Sequence, residues 1–135
     1  MAPPPEPQLD PEELAAFRRG VAQFNDGFFF ECHDTLEDVW SGVRGPARDF
    51  FQGLIQVAVG FQHLANGNLR GAVLLLHEGG RRLQGALAGL ELESFAAAAQ
   101  RCGAAAAALD PAAAGAAARF DWTLAPRFPR AAAGA

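Results

Sequence analysis

Apolar residues recur every three or four positions over most of the chain, the spacing that gathers them on one side of an α-helix. The first run is Leu14, Phe17, Val21 and Phe24. Asp10-Pro11-Glu12-Glu13 reads as its start: a carboxylate to cap free amides, a proline where no amide donor is needed, and acids at the positive end of the helix dipole. Asn25-Asp26-Gly27 stops it. A second helix is predicted from about Phe28 to Trp40. It places Phe29, Cys32, Leu36, Val39 and Trp40 on one side, Glu31, Asp34 and Asp38 on the other, and His33 and Glu37 at the seam.

Ser41-Gly42-Val43-Arg44-Gly45 is a loop, and Pro46 starts a third helix that runs to about Ala65. Phe50, Phe51, Leu54, Ile55, Val57, Ala58, Phe61 and Leu64 make this helix apolar nearly all round, the mark of a central, buried element. One narrow polar stripe remains on it, made of Gln52, Gln56 and His63 with Asp49 beside them. Gly53 and Gly60 flank the stripe and leave room for a neighbouring backbone. Asn66-Gly67-Asn68 closes this helix and caps a fourth, about Leu69 to Leu90, with Leu69, Val73, Leu76, Leu83 and Leu87 inward and Arg70, His77, Arg81 and Gln84 outward. Ser94 is placed as the cap of an alanine-rich fifth helix, about Phe95 to Leu109, and Asp110-Pro111 as the start of a weaker sixth. Alternation with a period of two never persists long enough for a strand. The expectation is an all-α, single-domain bundle of about five helices over residues 10–125, after a disordered proline-rich lead-in (1–9) and before a loose tail (126–135).

Composition narrows what such a bundle can do. A chain of 135 residues buries roughly 65–70% of its unfolded surface, enough for one core. Eleven basic residues stand against 15 acidic ones, a net charge of −4, and no helix carries a basic stripe, so nucleic acid is not an expected partner. The opening Met1-Ala2-Pro3-Pro4-Pro5-Glu6 lacks the basic start and apolar run of an export signal, and no apolar stretch suits a bilayer; a cytoplasmic protein that does not engage membranes is expected. Cys32 and Cys102 form no CxxC and read as reduced thiols. Lysine and tyrosine are absent, which excludes lysine Schiff-base and phosphate-loop lysine chemistry. None of Ser41, Ser94, Thr35 or Thr123 lies in a Gly-x-Ser-x-Gly elbow, so serine hydrolase chemistry is not indicated.

Phe30, Glu31, Cys32, His33, Asp34, Glu37 and Trp40, followed by Gly45-Pro46, Arg48-Asp49-Phe50-Phe51-Gln52-Gly53-Leu54-Ile55-Gln56, His63, Asn66-Gly67-Asn68 and Gly71-Ala72, form a combined pattern over roughly residues 12–90. This pattern resembles domain-of-unknown-function family 309, small helical proteins of bacteria and archaea. One departure is Asp34, where glutamate is usual in the family. The resemblance implies an all-helical fold and supplies no activity.

The chemistry-bearing residues are Glu31, His33, Glu37, Trp40, Arg48, Gln52, Gln56 and His63, expected to share a groove between helices two and three. Three readings stay open, and no catalytic residue is assigned. In the first, the groove binds a small polar ligand or is a structural network, in which the Gln52 and Gln56 amides satisfy His33, Glu37 and the Trp40 indole N–H. In the second, a divalent metal, the one cofactor considered, is held by His33 and Glu37 as an i, i+4 pair and by His63 across the groove. Its bound water would serve hydrolysis with Glu31 or Asp34 as base. In the third, Gly79-Gly80 and Ala96-Ala97 offer close-packing faces for a homodimer. Arg48 is expected to pair with an acid of helix two, and Arg81-Arg82 to be a short, unremarkable charge run.

Overall fold

The computed structural model describes residues 9–84 and 92–128. Five α-helices follow in order: α1 (Pro11–Asn25), α2 (Phe29–Trp40), α3 (Pro46–Ala65), α4 (Leu69–Leu83) and α5 (Leu92–Ala107). Each packs against the next, and the described residues contain no strand. The start of α1 is the capping box that Asp10 and Glu13 announce: the Asp10 side chain takes the Glu13 amide at 2.8 Å, and the Glu13 side chain takes the Asp10 amide at 3.2 Å.

Two tight reversals set the order of α1 to α4. Gly27 (φ 84°) and Gly67 (φ 86°) hold left-handed backbone just past α1 and α3. There the amides of Phe28 and Asn68 reach back to the carbonyls of Gln23 and His63, each at 2.8 Å. These bonds satisfy carbonyls that a helix end leaves free, and only glycine takes the left-handed position without a Cβ penalty. Asn68 then caps α4, its side chain accepting the Gly71 amide at 3.0 Å.

The apolar surround read in the third helix is realised. Eleven of the twenty residues of α3 are buried, including Phe50, Phe51, Leu54 and Phe61, so α3 is the axis of the bundle. Burying one such side chain stabilises the fold by about 1.5–3 kcal/mol, which makes α3 the main source of cohesion. The side chains of α1 (Phe17, Val21, Phe24), α2 (Cys32, Leu36) and α5 (Phe95, Cys102) complete the core, while Glu31, Asp34 and Asp38 face outward as expected.

Glycines bring α4 against α3. A Cβ on Gly53 would lie 2.9 Å from the Leu83 side chain, one on Gly60 would lie 2.9 Å from Leu76, and one on Gly79 would lie 2.8 Å from the Gly53 carbonyl. On the other side of α4, a Cβ on Gly80 would lie 3.0 Å from the Ala96 carbonyl of α5. Of the residues assigned above to a homodimer, Gly79 meets α3 and Gly80 meets Ala96 within the chain.

Four expectations change toward the C-terminus. The fourth helix ends at Leu83 in the described residues, and the predicted stretch 85–90, with Leu87, lies outside them. The fifth begins at Leu92, so Ser94 lies within its first turn instead of capping it. The sixth helix does not form: after Ala107 come turns and two short 3-10 helices, Ala116–Arg119 and Trp122–Leu124. Alanine favours helix locally, but Ala112-Ala113-Ala114 offers no large apolar side chain to anchor a helix, and short helices hold mainly through such packing. Nor is the chain loose immediately after Pro126, since Phe128 is 1% exposed. It packs in the core because Asn25 and three phenyl rings receive it.

Candidate functional site

His33 lies one turn into α2, partly buried, with Glu37 one turn further on and more open. Its Nε2 is 3.2 Å from Glu37 Oε2, and its Nδ1 is 3.2 Å from the Phe30 carbonyl. Both ring nitrogens thus face acceptors on their own helix. The Phe30 ring adds an edge contact, its centroid 5.4 Å from that of the imidazole. Glu31, next to Phe30, is exposed.

Trp40 and Arg48 form a reciprocal lock at the end of α2. The indole Nε1 donates to the Arg48 carbonyl at 3.1 Å. The Arg48 guanidinium lies over the indole ring, 4.1 Å from its centroid, and Nη1 donates to the carbonyls of Trp40 (3.2 Å), Ser41 (3.3 Å) and Val43 (3.5 Å). The last turn of a helix leaves its carbonyls unpaired and carries the negative end of the dipole, so a cation there satisfies both needs. Arg48 therefore takes backbone carbonyls, and no acid of α2 is among its partners.

The polar stripe of α3 meets α4. Arg82 donates to Asp49 Oδ1 at 2.6 Å and to Gln56 Oε1 at 3.2 Å, tying the two helices together. His63 Nδ1 is 3.4 Å from the side-chain nitrogen Nδ2 of Asn68, and a Cβ on Gly71 would lie 2.7 Å from the imidazole Cδ2, so this ring lies against the start of α4. Gln52 is half-buried one turn from Gln56. The expected groove, with His33 and Glu37 confronting Gln56 and His63, is not what assembles. The glycines at 53 and 60 draw α4 rather than α2 to the stripe, and Arg82, read as an unremarkable charge, is its partner. A signal was available: glycines seven apart on one helix leave room for a close neighbour, and Gly79 on the next helix is a small residue that can approach Gly53.

His33, Glu37 and His63 are accordingly not gathered. Among the described residues no three His, Cys, Asp or Glu side chains come together so as to hold a metal ion. Three surface recesses among the described residues have none of His33, Glu37 and His63 in their walls. One of about 340 Å³ is bordered by Asn68, Arg70, Pro111 and Ala116. Another, of about 370 Å³, runs between α4 and α5 past Val73, Leu74 and Leu109. A third, of about 190 Å³, lies between α1 and α2 beside Glu12, Arg19 and Asp38.

The two thiols are inert in character. Burial pushes the Cys32 thiol up to about 12. It pushes Cys102 up to about 11, against a smaller opposing pull from Arg101. No helix among the described residues is long and apolar enough to cross a membrane.

Residues 17–75 match the family model described as "Domain of unknown function (DUF309)". This segment belongs to DUF309. Comparison with curated proteins gives no match, and comparison with solved structures gives none. The DUF309 segment runs from the middle of α1 into α4, so it contains His33, Glu37, the Trp40–Arg48 lock and the stripe of α3. It is narrower than the stretch over which the sequence pattern resembles the family. Arg82, α5 and the docked Phe128 lie beyond it.

Proposed function

We propose that the chain is a helical scaffold module whose polar residues brace helix ends and helix contacts and do not form a reaction centre. The observation that carries this reading is the Trp40–Arg48 lock, in which the indole N–H and a guanidinium amino group are both occupied by backbone carbonyls of their own chain. A substrate would have to displace bonds that hold α2 to α3. Arg82 supports the same reading, since it spends donors on both Asp49 and Gln56. Buried and half-buried polar groups satisfied in this way rigidify a bundle and specify how its helices meet.

The test is thermal unfolding of Arg48→Ala and Arg48→Lys, with metal analysis of protein purified without a histidine tag. Arg48→Ala leaves the carbonyls of Trp40 and Ser41 without their cation and removes the stacking, a loss of about 2 kcal/mol after allowance for partial exposure. Lysine cannot lie flat over the indole while reaching several carbonyls, so Arg48→Lys recovers only part of the loss. A wild-type melting temperature unchanged in Arg48→Ala would refute the scaffold reading.

A second reading, metal-dependent hydrolysis, draws on one observation, the His33–Glu37 contact at 3.2 Å on adjacent turns. It requires further ligands to reach that pair. Stoichiometric zinc or manganese that is lost in His33→Ala would favour it over the scaffold.

A further inference from the structure

The chain end that sequence patterning leaves loose is received by a built socket. Phe128 inserts among the rings of Phe17, Phe50 and Phe95, with centroid separations of 6.0, 5.9 and 5.0 Å in edge-on geometries that phenyl rings favour. Asn25, at the end of α1, reads its backbone from both sides. The Phe128 amide donates to Asn25 Oδ1 at 2.7 Å, and Asn25 Nδ2 donates to the Phe128 carbonyl at 3.1 Å. Arg127 adds a bond from Nη1 to the Asn25 carbonyl at 3.2 Å. One side chain reading both main-chain groups of a single residue, beside a pocket that takes its side chain, is how extended peptides are recognised.

The inserted segment has the character of a ligand. Ala125 is extended (φ −66°, ψ 127°), and Pro126 and Pro129 flank Arg127-Phe128 in the sequence. Proline fixes its own φ and biases the residue before it toward extended backbone, so little freedom is lost when such a segment binds. The pocket is also separable in sequence from what fills it. Phe17, Asn25 and Phe50 lie in the DUF309 segment and Phe95 in α5, whereas Phe128 is 103 residues from Asn25 and outside both.

We propose that the Phe17/Asn25/Phe50/Phe95 pocket is a peptide-binding site for a proline-flanked Arg-Phe segment, filled in cis by Phe128 and open in trans to the same segment of a second copy. The occupant is the chain's own segment because the pocket already holds Phe128, with Arg127 bonded to the Asn25 carbonyl. The tether gives the cis segment an effective concentration of roughly millimolar. Exchange between copies therefore emerges when the cis segment is withdrawn or altered. Swapping an identical segment between protomers needs no contact that a single chain lacks.

The experiment uses full-length Phe128→Ala, which empties the socket, and a synthetic peptide with the sequence of residues 125–130. Calorimetric titration is expected to show one peptide bound per chain. Binding should weaken at least about tenfold when the peptide carries alanine for phenylalanine, and as much when the wild-type chain, its socket filled, replaces the variant. A folded Phe128→Ala chain that binds no peptide, or binds both peptides equally, overturns the proposal. Mixing Phe128→Ala with Asn25→Ala, which keeps its Phe128 but has lost the residue that reads it, should give a 1:1 complex in sedimentation. Peptide binding with no such complex overturns the second copy as occupant. If Phe128→Ala does not fold, hydrogen exchange on the wild-type chain decides. The Phe128 amide should exchange by local release, at least about tenfold faster than the Leu54 amide in α3. Equal protection of the two overturns the proposal.

Discussion

Replacing Gly79 with alanine should destabilise the protein, although intrinsic helix preference points the other way. Gly79 lies inside α4, where alanine is favoured over glycine by about 0.8–1.0 kcal/mol. The added Cβ, however, would lie 2.8 Å from both the Gly53 carbonyl oxygen and Val57 Cγ2 and 2.9 Å from the Val57 amide nitrogen. Two of those atoms belong to the backbone of α3, so no rotamer change relieves the clash; the helices must separate. Overpacking of this kind costs about 1–3 kcal/mol. Separation would also loosen the contacts of Gly53 with Leu83 and Gly60 with Leu76, which places the cost toward the upper end. The net loss is about 1–2 kcal/mol, a fall of roughly 3–8 °C in melting temperature for a domain of this size. Gly103→Ala in α5 is the matched control. Its nearest neighbour would be Leu76 Cβ at 3.4 Å, an ordinary contact, so the propensity term prevails and the melting temperature should rise by about 2–4 °C. Calorimetry or far-ultraviolet circular dichroism reads both. A Gly79→Ala chain at least as stable as wild type would refute the account of how α3 and α4 meet.

Both thiols should resist alkylation by iodoacetamide in the folded protein at pH 8 and react once guanidinium unfolds it, since each is buried and free; rapid labelling of the native protein would contradict this. Because burial raises the Cys32 thiol from 9.0 to about 12, its contribution to stability is intact below pH 9, the unfolded value. That contribution is lost as pH rises toward 12, and Cys32→Ala should flatten the alkaline fall measured by denaturant titration. Asn68→Ala removes the cap on the Gly71 amide and should cost about 1 kcal/mol, visible as earlier fraying of α4 by hydrogen exchange. Arg82→Gln breaks a partly exposed pair with Asp49 and should cost under about 1 kcal/mol, with a smaller loss in high salt; a salt-independent change would argue against the ion pair.

Residue spacing and end signals were enough to read the helices of the DUF309 segment. Asp10 and Glu13 mark a start with a defined chemistry, and Asn-Asp-Gly and Asn-Gly-Asn mark reversals that only a left-handed glycine completes. The all-round apolar character of α3 likewise announced the axis of the bundle. Which helix would face the polar stripe was not legible from periodicity, because spacing along one helix says which residues share a face and not what that face meets. The pairing of Asp49 with Arg82 joins residues 33 apart, and that of Asn25 with Phe128 joins residues 103 apart. The first contact follows from how glycines let the backbones of α3 and α4 approach, and the second from a ring pocket that three helices build together. The C-terminal third misled for a different reason. Alanine has high local helix preference, yet it offers so little surface to bury that tertiary packing chose turns and placed Phe120 and Phe128 in the core instead.

The central claim is that Trp40 and Arg48 act on each other to close the end of α2, and a double-mutant cycle measures that coupling. Trp40→Phe keeps a ring beneath the guanidinium but removes the N–H that reaches the Arg48 carbonyl; Arg48→Ala removes the cation; the third chain carries both changes. Denaturant unfolding of the four proteins should show the double variant losing less than the sum of the single losses by about 1 kcal/mol. Losses that add to within about 0.3 kcal/mol would show two independent residues and contradict the account.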